Sequence, residues 1–148
     1  MIHMVFDWLP PSVNHAYMTV MKGSGKVRHP IRVLTKEGTK FKNETTAELV
    51  RNFPTELKIF VPDKPFAVVG RLYFPDLYTK GWPDKAQSRY KRHDADNRLK
   101  LFLDVLKDAA GVDDSAFLDV CAQKYEGPHK TEIFVWNMEE ECPPTRTF

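Results

Sequence analysis
The sequence predicts an α+β fold: a small, mostly antiparallel sheet with two main helices packed on it. Three observations predict it. Strand-like stretches recur along the chain, one strongly amphipathic helix follows the best of them, and two further strands close the sequence. The length of 148 residues fits a single domain whose core needs no metal or disulfide staple. At 42% hydrophobic and 28% charged, the composition is globular, which excludes disordered, collagen-like and coiled-coil classes. No run approaches the ~18 apolar residues of a membrane span. The N-terminus shows no secretory signal, so a cytoplasmic protein without membrane contact is expected. Its two cysteines, Cys121 and Cys142, are then reduced thiols, too few for a zinc site made of thiolates alone.

Each element has its own signal. Ile2, Met4, Phe6 and Trp8 alternate with His3, Val5 and Asp7, the pattern of a half-buried strand that Pro10 and Pro11 end. Ser12, Asn14 and His15 read as loop. Lys22-Gly-Ser-Gly-Lys26 reads as a flexible basic turn, without the spacing of a P-loop. Arg32, Val33 and Leu34 suggest a short strand. Thr35 caps a helix that runs through Phe41, Leu49 and Val50 and stops at Asn52-Phe53-Pro54. Residues 66–74 (FAVVGRLYF) form a strand. Residues 75–93 form a long basic loop, a length that compact domains usually keep for function. Residues 96–110 form the best helix, with Leu99, Phe102, Leu103, Leu106 and Ala110 on one face and Gly111 at a left-handed C-cap. Residues 116–125 and 131–138 are expected to form an antiparallel hairpin about Gly127-Pro128. Residues 1–138 thus make one domain, and 139–148 an acidic, proline-containing tail.

The net charge of +2 is unevenly spread. Between 80 and 100 stand Lys80, Lys85, Arg89, Lys91, Arg92, Arg98 and Lys100 against Asp84, Asp94 and Asp96. Such a field attracts phosphates. Within it lies His93-Asp94-Ala95-Asp96-Asn97, then Lys100, and after one helix Asp113-Asp114. Extended backbone at 94–96 would turn both carboxylates to one side. Lys100 lies one turn up from Asp96. Asp114 joins them only if the chain turns back beside the helix. Clustered carboxylates raise one another's pKa, and a hard divalent cation relieves that repulsion. The positives would hold a nucleic acid backbone while the negatives hold the metal. The competing explanation is local: Asp94 or Asp96 as an N-cap, Asp113-Asp114 as a turn. Trp82 and Tyr90 either stack on bases or anchor the loop.

The run Asp94-Ala-Asp-Asn-Arg-Leu-Lys100, with Gly111-Val-Asp-Asp114 and the opening Leu9-Pro-Pro-Ser-Val-Asn14, resembles the RusA-type Holliday junction resolvases over most of the chain. Thr35-Lys-Glu-Gly38 with Phe41 is similar to that family's first helix entry. The resemblance implies a homodimeric, Mg²⁺-dependent endonuclease, with Mn²⁺ as a substitute. It would resolve four-way DNA junctions by paired symmetric nicks in recombination and repair, leaving 5′-phosphate and 3′-hydroxyl ends. It implies Asp94, Asp96 and Asp114 as metal ligands, Lys100 as the essential lysine, and Asn97 and Asp113 in support. DNA contacts are expected from Asn14, Lys85, Arg89, Tyr90, Lys91, Arg92, His93 and Arg98. Small resolvases of this type are common in phages and prophages. Three features depart from the family pattern: His93 at the basic flank, the length of 75–93, and a short link from the helix to Asp114. A flap- or fork-cutting nuclease of the same fold and a non-catalytic branched-DNA-binding protein are the alternatives.

Overall fold
Residues 66–74 are apolar on both faces, so that strand needs a neighbour on each edge and cover above it. It has both in the computed structural model, which describes residues 1–140; Cys142 and the rest of the tail from 141 onward lie outside the described residues. The strands are β1 (Ile2–Phe6), β2 (Tyr17–Lys22), β3 (His29–Leu34), β4 (Phe66–Phe74), β5 (Phe117–Glu126) and β6 (Lys130–Asn137). The helices are α1 (Val13–Ala16), α2 (Lys36–Asn52), α3 (Pro54–Leu57) and α4 (Ala95–Ala110). A four-stranded mixed sheet runs β1-β6-β4-β5, and β2 and β3 form a separate two-stranded ribbon. The α+β class is therefore correct. β1–β6 and β6–β4 are antiparallel, and β4–β5 is parallel.

The expected hairpin of β5 and β6 does not form, because β4 lies between them. The cause is α4. A strand–helix–strand crossover returns the chain parallel to its starting strand, so β5 takes one edge of β4. The short link after β5 then passes the carboxyl end of β4, where Gly127 N–H donates to Phe74 O at 3.2 Å, and β6 takes the other edge.

One face of the sheet carries the core. Ile2, Met4 and Phe6 of β1 and Val68 and Leu72 of β4 are buried with Ile133 and Val135 of β6 under Leu99, Phe102 and Leu106 of α4. Side chains of this kind stabilise by roughly 1.5–3 kcal/mol each when fully buried. α4 sits close to the sheet because Gly70 has no side chain; a Cβ there would lie 2.5 Å from a Leu99 methyl. Phe6 packs against Trp8, Phe53 and Phe102, and Trp8 Nε1 donates to Glu48 at 2.9 Å, which fixes α2 to the end of β1. Among the described residues no helix is long and apolar enough to cross a membrane.

Four further parts of the chain differ from expectation. Residues 13–16 are a single helical turn rather than loop, and β3 starts at His29 because β2 pairs with its full length. Pro54 opens the short α3 instead of ending all helix. The 75–93 segment is folded on itself. Tyr78 bridges Tyr90, Thr79 N–H donates to Arg89 O, Lys91 N–H donates to Leu77 O, and Leu77 is buried.

Candidate nuclease site
β4 and β5 run parallel, and α4 runs back between them. The carboxyl end of β4 and the N-terminus of α4 therefore lie at the same end of the sheet, where parallel βαβ units place ligands. Asp94 is the N-cap of α4: its Oδ1 accepts from Asn97 N–H at 3.1 Å, and its other oxygen accepts from the Asn97 amide. Asp96 lies in the first helical turn, where a negative charge faces the positive end of the helix dipole. The helix begins at Ala95, so strand alternation does not align the two carboxylates as expected. Asp94 folds over the helix end, and Asp96 projects into solvent. Lys100, one turn further on, is exposed too. The side chains of Asp96 and Lys100 make no hydrogen bond or ion pair among the described residues, so both are free to meet a ligand.

Asp114 is elsewhere. It opens the 3-10 turn before β5, with Oδ2 3.5 Å from Lys107 Nζ near the far end of α4. At 1.5 Å per residue, Lys107 is about 20 Å along the helix from Asp94. The chain does turn back beside α4, but the part of β5 that returns to the acidic pair is its carboxyl end. There Lys124 Nζ donates to His93 O at 3.2 Å. Within one chain Asp114 therefore does not join Asp94 and Asp96, and among the described residues no group of three metal-binding side chains forms. Asp113 is a turn residue: its Oδ1 accepts from Ser115 N–H at 2.9 Å, and the Ser115 hydrogen bonds hold its carboxyl below the usual range.

The flank of the pair is more ordered than the sequence suggests. The His93 ring stacks on Phe74 with centroids 4.2 Å apart. Its Nε2 lies 3.3 Å from Asp76 Oδ1 but off the line of a hydrogen bond. Asp76 accepts from Lys91 Nζ at 2.8 Å, and that bond holds its carboxyl below the usual range. Sequence reasoning missed Asp76; its signal was its place just after β4, at the ligand-binding end of the sheet. Arg98 is not a free DNA-binding cation. It turns inward, donates to Pro10 O, and stands 5.8 Å from the Phe74 ring, where burial lowers its pKa. Lys91 is likewise held by Asp76. Arg89 sits 5.5–5.9 Å from the rings of Tyr78, Trp82 and Tyr90, which anchor the loop around it while each stays more than two-fifths exposed. Lys85, Arg92 and Asn14 are exposed. A cleft of about 810 Å³ between α2 and the end of β1 is lined by Trp8, Ser12, Phe41, Asp76, His93 and Arg98. It lies beside the acidic pair, with His93 on the boundary.

Carboxylates bedded in a cationic surface are of use to a hydrolase that draws in a polyanion and works on its phosphates, and that is the class of protein this end of the sheet defines. The chain belongs to the RusA endodeoxyribonuclease family, whose model matches residues 9–136. Enzymes of this family hydrolyse DNA phosphodiester bonds at Holliday junctions and generally depend on a divalent metal. Comparison with curated proteins gave no match.

Proposed function
We propose that this protein is a Mg²⁺-dependent resolvase that makes paired symmetric nicks in four-way DNA junctions during recombination and repair, leaving 5′-phosphate and 3′-hydroxyl ends. The observation that carries the proposal is the exposed Asp96–Lys100 pair beside Asp94, unengaged by other side chains, at the ligand-binding end of a RusA-family fold. When bound, a divalent cation supplies Lewis acidity and an activated water at such sites, and Mn²⁺ can stand in for Mg²⁺. Asp94 and Asp96 would supply two of its ligands, oriented by the α4 cap and by Asn97. Lys100 places an ammonium where negative charge grows on the phosphoryl oxygens. Lys85 and Arg92 hold the backbone, and the exposed rings of Trp82 and Tyr90 offer surfaces for unstacked bases. The working compartment is the cytoplasm of a bacterial cell, with or without a phage.

Paired nicking needs two sites related by a two-fold axis, hence a homodimer. The remoteness of Asp114 supports the same conclusion. β5 is an edge strand, and Leu118 and Val120 on it are 66% and 45% exposed. Antiparallel pairing of β5 with its copy sets the amino end of one strand, next to Asp114, against the carboxyl end of the other. That end lies beside Asp94 and Asp96 of the partner subunit. Each metal site would then take two carboxylates from one chain and Asp114 from the other.

The test is cleavage of a labelled four-way junction with and without Mg²⁺, using Asp96→Asn, Asp114→Asn and a mixed dimer of the two. With trans sites, the mixed dimer keeps one intact site and recovers nicking that both parents lack. No recovery in a verified mixed dimer would refute the shared site. Tight junction binding without cutting by the unaltered chain would refute catalysis itself.

A further inference from the structure
The β2–β3 ribbon is not absorbed by the site just described. Between Asp7 and Glu37, residues 8–36 contain no acidic residue, yet they carry Lys22, Lys26, Arg28, Arg32 and Lys36. The ribbon joins neither edge of the main sheet. Only its base is tied to the body. Thr35 N–H donates to Ala16 O at 2.9 Å, Thr35 Oγ1 donates to His15 O at 2.6 Å, and Tyr17 Oη donates to Asp104 at 3.5 Å. Gly38 lets α2 press on that base, since a Cβ there would lie 2.2 Å from Ala16 O. Beyond the base every residue from 21 to 30 is exposed. Among the described residues Lys22, Lys26 and Arg28 make no ion pair.

A firmly seated arm with an exposed, single-sign tip is built to meet something. Two features decide what. Pro30 lies inside β3 opposite Met21, and a proline in a strand blocks the addition of a further strand along that edge. A β-augmenting protein partner is therefore disfavoured along the β3 edge. Cations without internal counter-charges instead suit a polyanion, and a two-stranded ribbon fits the ~12 Å major groove of B-form DNA. The dimensions agree. Each strand of six residues reaches about 20 Å at ~3.4 Å per residue. Its anchor at Asp104 stands about 15 Å along α4 from Asp94 at 1.5 Å per residue. The two lengths together, about 35 Å, are comparable to one turn of duplex, ~34 Å.

We propose that the β2–β3 ribbon is a DNA-gripping arm that lies against the duplex flanking the cut, with Lys22, Lys26 and Arg28 on its backbone phosphates. This rests on the nuclease function proposed above. The experiment is a salt series of binding to a four-way junction and to a linear duplex, by fluorescence anisotropy in EDTA. It uses the full chain, the variant Lys22→Ser/Lys26→Ser/Arg28→Ser, and a control, Lys58→Ser. All three ribbon positions are exposed, and thermal unfolding verifies that the variant folds. Each lost phosphate contact lowers the slope of log K against log salt by about 0.9. The variant should lose about 2–3 from the slope and bind at least ~10-fold more weakly in 0.1 M salt, on the duplex as on the junction. An unaltered slope in the variant, while the parent binds DNA, overturns the arm and leaves the nuclease intact. A slope lost equally in Lys58→Ser overturns it too, as a general charge effect. Failure of the parent chain to bind either DNA overturns both proposals.

Discussion

Asp94 closes the first turn of α4 and is also a metal ligand in the proposed site, and substitution separates the two roles. Asparagine is as good an N-cap as aspartate, so Asp94→Asn keeps the bond to Asn97 N–H and removes the charge. What it loses is the attraction between a carboxylate and the helix N-terminus, roughly 0.3–1 kcal/mol for an exposed site. Asp94→Ala loses the cap as well, which costs about 1 kcal/mol more. In a chain of this size 1 kcal/mol corresponds to about 2–4 °C in Tm. Asp94→Asn should therefore melt within about 3 °C of the parent, and Asp94→Ala about 3 °C lower again. Both should lose junction cleavage, to the same degree. Thermal denaturation followed by circular dichroism and single-turnover cleavage measure the two effects independently. If Asp94→Asn cuts within a few-fold of the parent while Asp94→Ala does not, Asp94 acts only through the helix it caps, and the proposed metal site is wrong.

Other outcomes follow from the same structure. Gly70→Ala should destabilise the domain by about 1–3 kcal/mol, because the new methyl meets Leu99 at 2.5 Å in a packed core. Urea unfolding of the Gly70→Ala/Leu99→Ala pair should show less loss than the sum of the single variants, since the clash and the cavity offset each other. Glu132 provides a pH signature. Burial raises its pKa, but hydrogen bonds from Lys130 and Tyr73 outweigh that and lower it overall. Its stabilising effect is then present above the unfolded-state value, about 4.3, and fades as pH falls through the lower folded value. Glu132→Gln should flatten the acid limb of the stability curve below about pH 4.5 and leave its shape at pH 7 unaltered. An unaltered limb in the variant would mean that the hydrogen bonds from Lys130 and Tyr73 contribute nothing to stability.

Elements whose pattern is self-contained were legible in the sequence: the alternation of β1, the apolar stripe of α4, Thr35 as a cap, and Gly111 with φ 71. What was not legible depended on distant partners. β2 has no clear alternation of its own and is a strand because β3 pairs with it. The hairpin error at Gly127-Pro128 has the same origin. Two strands joined by a tight turn look alike whether they pair or straddle a third, and only the two-sided apolar character of β4 argues for the second arrangement. The site shows a similar division. Asp94, Asp96, Asn97 and Lys100 come together through one helix terminus, a local matter. Asp114 was grouped with them by motif, and the real distance is set by the length of α4. Arg98 and Lys91 carry the charge of DNA contacts, but Pro10 and Asp76 engage them, and neither partner is near in sequence.

α4 concentrates three demands in one segment. Leu99, Phe102 and Leu106 must face the sheet, or β4 loses its cover. Asp94 must cap, or the helix start carries unpaired N–H groups beside the core residue Ala95. Asp96 and Lys100 are then left on the face that packing does not use. In a 3.6-residue helix, fixing the core at 99, 102 and 106 places 96 and 100 together on the outer surface. The proposed chemistry therefore occupies positions that folding leaves open, except at Asp94, where the cap and the proposed metal ligand are one side chain. This is why capping and metal binding cannot be told apart from the sequence, and why the charge-only change at Asp94 separates them when deletion of the side chain does not.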